Sequence, residues 1–235
     1  MKKYIPNTIT SLNLICGVAG IIQAFQGDLK TAVAFIWLAG VFDFFDGFAA
    51  RMLKVSSEIG KQLDSLADMV TFGVLPSIVM YQLLIQYTDN SYVPYLAILL
   101  AVFSAIRLAK FNIDERQTSG FIGLPTPATA LFISSLPFIL ELEKMKDFNA
   151  YVFVALLVIT ILLSLIMVAE VPLLALKFKD FSWKNNKSRF VFLIISIILI
   201  LSIQIIAIPI IIFVYFIVSI VNNTQSKSVE SSGND

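Results

Sequence analysis

Four aspartates lie within one short stretch of the sequence, DFFDGFAARMLKVSSEIGKQLDSLAD at residues 43–68. Asp43 and Asp46 are three residues apart and Asp64 and Asp68 are four apart, so each pair occupies one face of a helix. Unpaired carboxylates this close repel one another, whereas Mg²⁺, Mn²⁺ and Ca²⁺ prefer oxygen ligands and remove that repulsion. Two such ions bridged by carboxylates form a recurring phosphoryl-transfer site. The stretch therefore predicts a metal site of this kind.

Small and basic residues accompany the aspartates. Gly47 and Ala50 follow the first pair on the same helical face and leave space for a ligand to approach the backbone. Arg51 adds a planar cation that suits a phosphate group. Gly60, one turn before Asp64, again clears room. The pattern indicates a phosphate-bearing ligand beside the carboxylates.

The composition places this chemistry in a membrane. Of the 235 residues, 58% are hydrophobic and 14% are charged, and the mean hydropathy is +0.87. Long apolar runs recur along the chain, which is typical of an integral membrane protein. There is no histidine and only one cysteine, Cys16, so a histidine base, a His-zinc site and an intrachain disulfide are excluded. Acid–base or metal chemistry must use carboxylates, lysines or tyrosines.

The apolar runs predict an all-α polytopic membrane helix bundle, since about 20 apolar residues cross a bilayer as a helix. We expect six spans at 9–26, 31–53, 63–86, 93–111, 125–142 and 149–171. The first is expected to be a retained helix and not a cleaved signal peptide. The tract 190–221 contains Pro209 and fits one tilted helix or a tight hairpin of two. We favour two, which gives eight helices.

We divide the chain into four parts. They are a six-helix catalytic membrane core at 1–171, a cytoplasmic basic connection at 172–189, one or two extra membrane helices at 190–221 and a disordered tail at 222–235. Most lysines and arginines fall on the cytoplasmic side if the N-terminus is cytoplasmic, as the positive-inside rule requires. We therefore expect a protein of a bacterial or archaeal inner (cell) membrane whose active site faces the cytoplasm.

Written with its spacings, the acidic stretch reads D-x2-D-G-x2-A-R-x8-G-x3-D-x3-D. This pattern matches the signature of the CDP-alcohol phosphatidyltransferase family, and the chain resembles that family over at least its first six helices. The resemblance implies two divalent ions, Mg²⁺ or Mn²⁺, held by Asp43, Asp46, Asp64 and Asp68, with Asp68 also the general base. It implies CDP-lipid contacts at Gly47, Ala50, Arg51 and Ser57, and at Asn7 and Thr10 in the first-helix stretch PNTITSLN.

Two further stretches bear on the acceptor alcohol. RLAKFNID at 107–114 has an ordinary interpretation as basic residues flanking a span, and GFIGLPTPATA at 120–130 as a helix entry at Pro125 and Pro127. Together they resemble the phosphatidylserine synthase branch of the family. That resemblance implies CDP-diacylglycerol and L-serine as substrates, with Arg107 or Lys110 holding the serine carboxylate or the lipid phosphate. Asn112 would add a hydrogen bond.

Two alternatives stay open from the sequence. Another branch of the family would use an acceptor that carries phosphate, such as glycerol 3-phosphate or inositol phosphate. A cation-coupled transporter would use the same carboxylates for ions. The expected partners are the two substrates, membrane lipid and a second copy in a homodimer, which the resemblance implies; a nucleic acid is not among them.

Overall fold

The computed structural model describes residues 4–114, 121–141, 149–173 and 183–232. This part of the chain forms nine α-helices and two very short strands. The helices are α1 Tyr4–Phe25, α2 Leu29–Leu53, α3 Glu58–Asp68, α4 Leu75–Ile85, α5 Ile98–Ile113, α6 Thr126–Leu140, α7 Asn149–Val168, α8 Trp183–Ile203 and α9 Ala207–Ser232. The strands are β1 Phe121–Ile122 and β2 Pro172–Leu173, which pair antiparallel.

Six helical segments of the described chain are long and apolar enough to cross a membrane, and the shorter α6 is also apolar. The prediction of an all-α polytopic membrane bundle is therefore confirmed. One predicted span, 63–86, corresponds to α3 and α4 joined without a break by a π-helical turn, Met69–Val74. A π turn inside an α-helix is rare and frequently marks a functional site. Here it begins directly after Asp68.

The apolar tract at the C-terminal end is two helices and not one. By hydropathy, 189–220 is a single segment, but a 3₁₀ turn at Gln204–Ile206 separates α8 from α9. The rings of Phe192 and Tyr215 lie 5.7 Å apart. In one straight helix these two residues would be about 35 Å apart at 1.5 Å per residue. The two helices therefore form a hairpin.

The last helix, α9, extends from Ala207 to Ser232. The division of the chain into four parts, with a disordered tail at 222–235, stays a prediction. No proline or glycine occurs between the start of the tail and Gly233, so nothing in that sequence interrupts a helix that starts at Ala207. Of the basic connection predicted at 172–189, residues 174–182 lie outside the described chain.

The segment formed by α3 and α4 is the most buried of the six candidate spans, and α1 and α2 pack against it and against each other. Ala32, Val33 and Ile36 on α2 are fully buried. Farther along α2, the indole nitrogen of Trp37 donates to Ser134 Oγ on α6 at 2.8 Å. Many other apolar side chains are exposed, as expected for helices whose outer faces contact lipid. The buried contacts hold α2 in a fixed position relative to its neighbours.

Because successive spans run in opposite directions, with α3 and α4 together forming one span, the end of α2, the start of α3, the end of α5 and the start of α6 meet at one end of the bundle. We call it the site end. Described basic residues at the site end are Arg51, Lys54, Lys61, Arg107 and Lys110. At the opposite end, Lys30 forms an ion pair with Glu141 at 2.5 Å.

Candidate active site

Three of the four aspartates converge. One carboxylate oxygen from each of Asp43, Asp64 and Asp68 lies within 4.8 Å of the others. Asp43 comes from the last turns of α2, and the other two come from one face of α3. Asp46 is buried and its Oδ2 accepts a hydrogen bond from Thr10 Oγ1 at 2.7 Å. It lies beside the cluster, on the side of an adjoining cavity.

This donor set fits a hard divalent cation. All the atoms that the three carboxylates offer are oxygens, and each side chain is only partly buried, so an ion can reach them. At an effective dielectric constant of 20, two such charges 4.8 Å apart repel by about 3–4 kcal/mol. A cation bound between them would convert that repulsion into attraction. The residues present therefore fit the divalent cation that the family resemblance implies.

Asn13 on α1 is a site residue that the sequence interpretation missed. Its amide Nδ2 donates to Asp68 Oδ1 at 3.3 Å, and its backbone carbonyl accepts from Thr71 Oγ1 in the π turn at 3.2 Å. The side chain is fully buried, so it orients the Asp68 carboxylate from the α1 side. The available signal was an asparagine inside an apolar run, where a polar group needs a partner.

A cavity of about 200 Å³ adjoins the cluster. Five of the six residues predicted to contact the CDP-lipid line it: Asn7, Thr10, Gly47, Ala50 and Ser57. The sixth, Arg51, is not among the described residues that line it. Its guanidinium instead lies over Gly47, since a Cβ placed on that glycine would be 3.5 Å from Arg51 Nη1. We call this space the nucleotide cavity.

The start of α3 is tightly fitted around the nucleotide cavity. Ser57 caps α3, because its Oγ accepts from the Gly60 amide at 3.0 Å. A Cβ on Gly60 would lie only 2.9 Å from both Ser57 Oγ and Asn7 Oδ1. Lys61 also lines the cavity, and its Nζ donates to the Asn112 carbonyl at 2.9 Å. Lys61 was not among the site residues predicted from the sequence.

The three residues predicted to bind the acceptor do not all line the same cavity. Arg107 and Lys110 line a second cavity. Asn112 does not line either cavity in the described chain; its amide donates to Ser65 Oγ at 2.8 Å and so ties α5 to α3. Its role in acceptor binding stays a prediction.

The backbone of Gly123 and the start of α6 explain the glycine and the first proline of the GLPTP stretch. Gly123 has φ +74° and its amide donates to the Val171 carbonyl at 2.9 Å. A Cβ at this position would lie 3.0 Å from the Met167 carbonyl carbon, so only glycine lets the segment lie flat on the end of α7. α6 then begins at Thr126, directly after Pro125. The expected helix entry is confirmed, and it brings Thr126 to Arg107, with 3.4 Å between Thr126 Oγ1 and Nη1.

Comparison with known protein families bears on the choice between an enzyme and a transporter. The family model of the CDP-alcohol phosphatidyltransferases matches residues 3–173, which include the whole aspartate cluster and both cavities. The chain belongs to the CDP-alcohol phosphatidyltransferase family. This membership favours the enzymatic interpretation over a cation-coupled transporter.

Several relatives within the CDP-alcohol phosphatidyltransferase family carry one name, CDP-diacylglycerol–serine O-phosphatidyltransferase. The protein from Bacillus subtilis is 41% identical over 140 residues, which are 58% of this chain and 76% of the relative. The protein from Methanocaldococcus jannaschii is 32% identical over 167 residues, 71% of this chain and 72% of the relative. A Mycobacterium leprae relative is 35% identical over 141 residues, 57% of this chain and 46% of the relative, so the match spans about half of that protein.

Proposed function

We propose that this protein is a phosphatidylserine synthase, which transfers the phosphatidyl group of CDP-diacylglycerol to the hydroxyl of L-serine and releases CMP. The observation that carries the proposal is the convergence of three carboxylates beside a cavity lined by five residues of the family pattern. The names of the relatives support serine as the acceptor.

The two parts of CDP-diacylglycerol would occupy different environments. Diacylglycerol chains would stay in the bilayer against the apolar outer face of the helices, while the cytidine diphosphate reaches the nucleotide cavity. Thr10, Gly47 and Gly60 would lie against it, and Lys61 would add a positive charge. Arg51 lies at the rim over Gly47 and would contact a phosphate group.

The aspartates would hold the cofactor and move the proton. Asp43, Asp64 and Asp68, with Asp46 beside them, would bind divalent cations that neutralise the diphosphate charge. Asp68, oriented by Asn13, would accept the proton of the serine hydroxyl. The hydroxyl oxygen forms a bond to the phosphorus nearest the lipid, and the bond from that phosphorus to the CMP oxygen breaks. Positioning and electrostatic stabilisation would supply most of the rate.

The orientation and assembly belong to the same proposal. The basic residues at the site end support a cytoplasmic active site, because such residues are enriched in cytoplasmic segments. We assign the protein to the inner (cell) membrane of a bacterium or archaeon. A homodimer, which the family resemblance implies, stays a prediction.

The proposal is tested by the choice of acceptor. Purified protein in detergent–lipid micelles with CDP-diacylglycerol and Mg²⁺ or Mn²⁺ should release CMP when L-serine is added. Glycerol 3-phosphate and inositol phosphate, offered in parallel, should give no release above the no-acceptor control. Release with one of these phosphorylated acceptors and none with serine would refute serine as the acceptor and retain the family chemistry.

Gly60→Ala tests the nucleotide cavity. The new Cβ would displace Asn7 or Ser57, and overpacking of this kind costs about 1–3 kcal/mol. We expect the KM for CDP-diacylglycerol to rise about 10-fold, with little change in the KM for the acceptor. Gly40→Ala is the matched control, because a Cβ on Gly40 of α2 meets nothing within 4 Å. An unchanged KM for the CDP-lipid would place the nucleotide elsewhere.

A further inference from the structure

A second cavity, of about 310 Å³, lies at the site end between α5, β1 and the end of α7. It is distinct from the nucleotide cavity, because no described residue lines both. A water molecule occupies about 30 Å³, so the space admits a small molecule of several heavy atoms. Four of its eight lining residues are charged, namely Arg107, Lys110, Asp114 and Glu170.

The guanidinium group of Arg107 lies buried on the wall of this cavity. Arg107 is only 6% exposed. Its Nη1 approaches Thr126, and its guanidinium carbon lies 5.7 Å from the centre of the Phe111 ring. Its Nε is buried and has no hydrogen-bond partner among the described residues. A buried guanidinium N–H without a partner is costly, and a carboxylate in the cavity would satisfy it in the planar geometry that arginine prefers.

The charges along this face of α5 change from positive to negative toward the C-terminal end of the helix. Arg107, Lys110 and Asp114 are spaced i, i+3 and i+7, so they lie in one row along the helix. Asp114 occupies the C-cap position of α5. Glu170 reaches the cavity from the segment after α7. The fit of Gly123 against Met167 and Val171 holds that segment in place. The cavity thus has the buried Arg107 on one wall, while Lys110 and Glu170 are exposed and Asp114 is half-buried.

We propose that this second cavity binds the acceptor amino acid as a zwitterion, with Arg107 and Lys110 on its carboxylate and Asp114 and Glu170 on its ammonium group. The proposal rests on the proposed function and adds the two acidic residues as determinants of acceptor specificity. The Asn112–Ser65 bond fixes α5 against the helix that carries Asp68.

This charge arrangement would also disfavour phosphorylated acceptors. Glycerol 3-phosphate and inositol phosphate have no ammonium group to be attracted by Asp114 and Glu170, and these carboxylates would repel the larger negative charge of a phosphate. Two basic residues alone would accept a phosphate as readily as a carboxylate. The acidic pair therefore makes the cavity specific for a ligand that carries one charge of each sign.

The test compares L-serine with 3-hydroxypropionate, which is serine without its amino group. Glu170→Gln, Asp114→Asn and the double variant are assayed as full-length protein in micelles with saturating CDP-diacylglycerol and metal. Loss of one hydrogen bond to a charged group should raise the KM for serine about 10- to 100-fold, with kcat and the KM for CDP-diacylglycerol unchanged. The wild type should prefer serine over 3-hydroxypropionate. In each variant this preference should be smaller by the same factor.

Glu58→Gln is the matched control, since Glu58 is an exposed carboxylate at the same end that lines neither cavity. It should leave both acceptor constants unchanged. An unchanged KM for serine in the double variant would overturn the proposal, as would a rise confined to the KM for CDP-diacylglycerol, which would assign the cavity to a lipid phosphate. Failure of the proposed function is recognised separately, because the wild type would then release no CMP with serine.

Discussion

Replacing Asp68 by asparagine is expected to lower the rate of CMP release from CDP-diacylglycerol and L-serine by at least about 1,000-fold. General-base catalysis alone contributes about 100- to 10,000-fold, and Asp68 also belongs to the carboxylate cluster. Asparagine keeps the size of the side chain and can still pair with Asn13, which donates to Asp68 Oδ1. The measurement is single-turnover CMP release at saturating serine, with CDP-diacylglycerol binding determined in parallel.

The control for this variant is Asp89→Asn. Asp89 is an exposed carboxylate in the loop after α4, away from the site end, so its replacement should leave turnover within about 2-fold, as for most surface changes. The variant Asp68→Asn should still bind CDP-diacylglycerol, because the residues of the nucleotide cavity do not include it. Normal turnover by Asp68→Asn would refute the assignment of the general base.

Removal of divalent metal is expected to abolish activity and to lower thermal stability. Without a cation, the carboxylates of Asp43, Asp64 and Asp68 lie within 4.8 Å of one another and their mutual repulsion is uncompensated. An ion present at 100 times its dissociation constant stabilises the folded state by about 2.7 kcal/mol. We therefore expect the melting temperature of chelated protein to rise by a few degrees when Mg²⁺ or Mn²⁺ is restored, together with full recovery of CMP release.

The double variant Asp43→Asn, Asp64→Asn separates a metal site from a general salt effect. Two of the three converging carboxylates are neutralised, so both the repulsion and the ion affinity should fall, and added Mg²⁺ should no longer raise the melting temperature. Asp89→Asn should retain the full metal-dependent increase. Undiminished activity in excess chelator would contradict the metal-assisted mechanism.

Local spacing was sufficient to predict the acidic site. Because helix geometry is fixed at 3.6 residues per turn, the separations of three and four residues place each aspartate pair on one face before any tertiary contact is known. Hydropathy predicted the membrane class and five of the six core spans for a similar reason, since a helix must present about 20 apolar residues to the bilayer. The predicted span 125–142 is instead the shorter apolar helix α6, Thr126–Leu140. The grouping of Asn7, Thr10 and Ser57 with Gly47 came from the family resemblance.

Contacts between helices were not available from the same patterns. Asn13 pairs with Asp68 across 55 positions, and Asn112 faces Ser65 and not the second cavity. The rotation of α1 and α5 about their axes decides both, and near-uniform hydrophobicity around a membrane helix leaves that rotation unspecified. Similarly, hydropathy could not distinguish one long helix from a hairpin at 190–221, because the turn at Gln204–Ile206 has only one polar residue and lies within a long apolar tract.

The sequence by itself determined that this protein is a membrane helix bundle with four aspartates spaced for a divalent-metal site. These properties depend on residue type and on short-range helix geometry. The tertiary structure alone decided that Arg107, Lys110, Asp114 and Glu170 line a cavity separate from that of the nucleotide. Two of its walls, α5 and the end of α7, are more than 50 residues apart in the chain and meet only through tertiary packing. Gly123 packs against the end of α7 beside them.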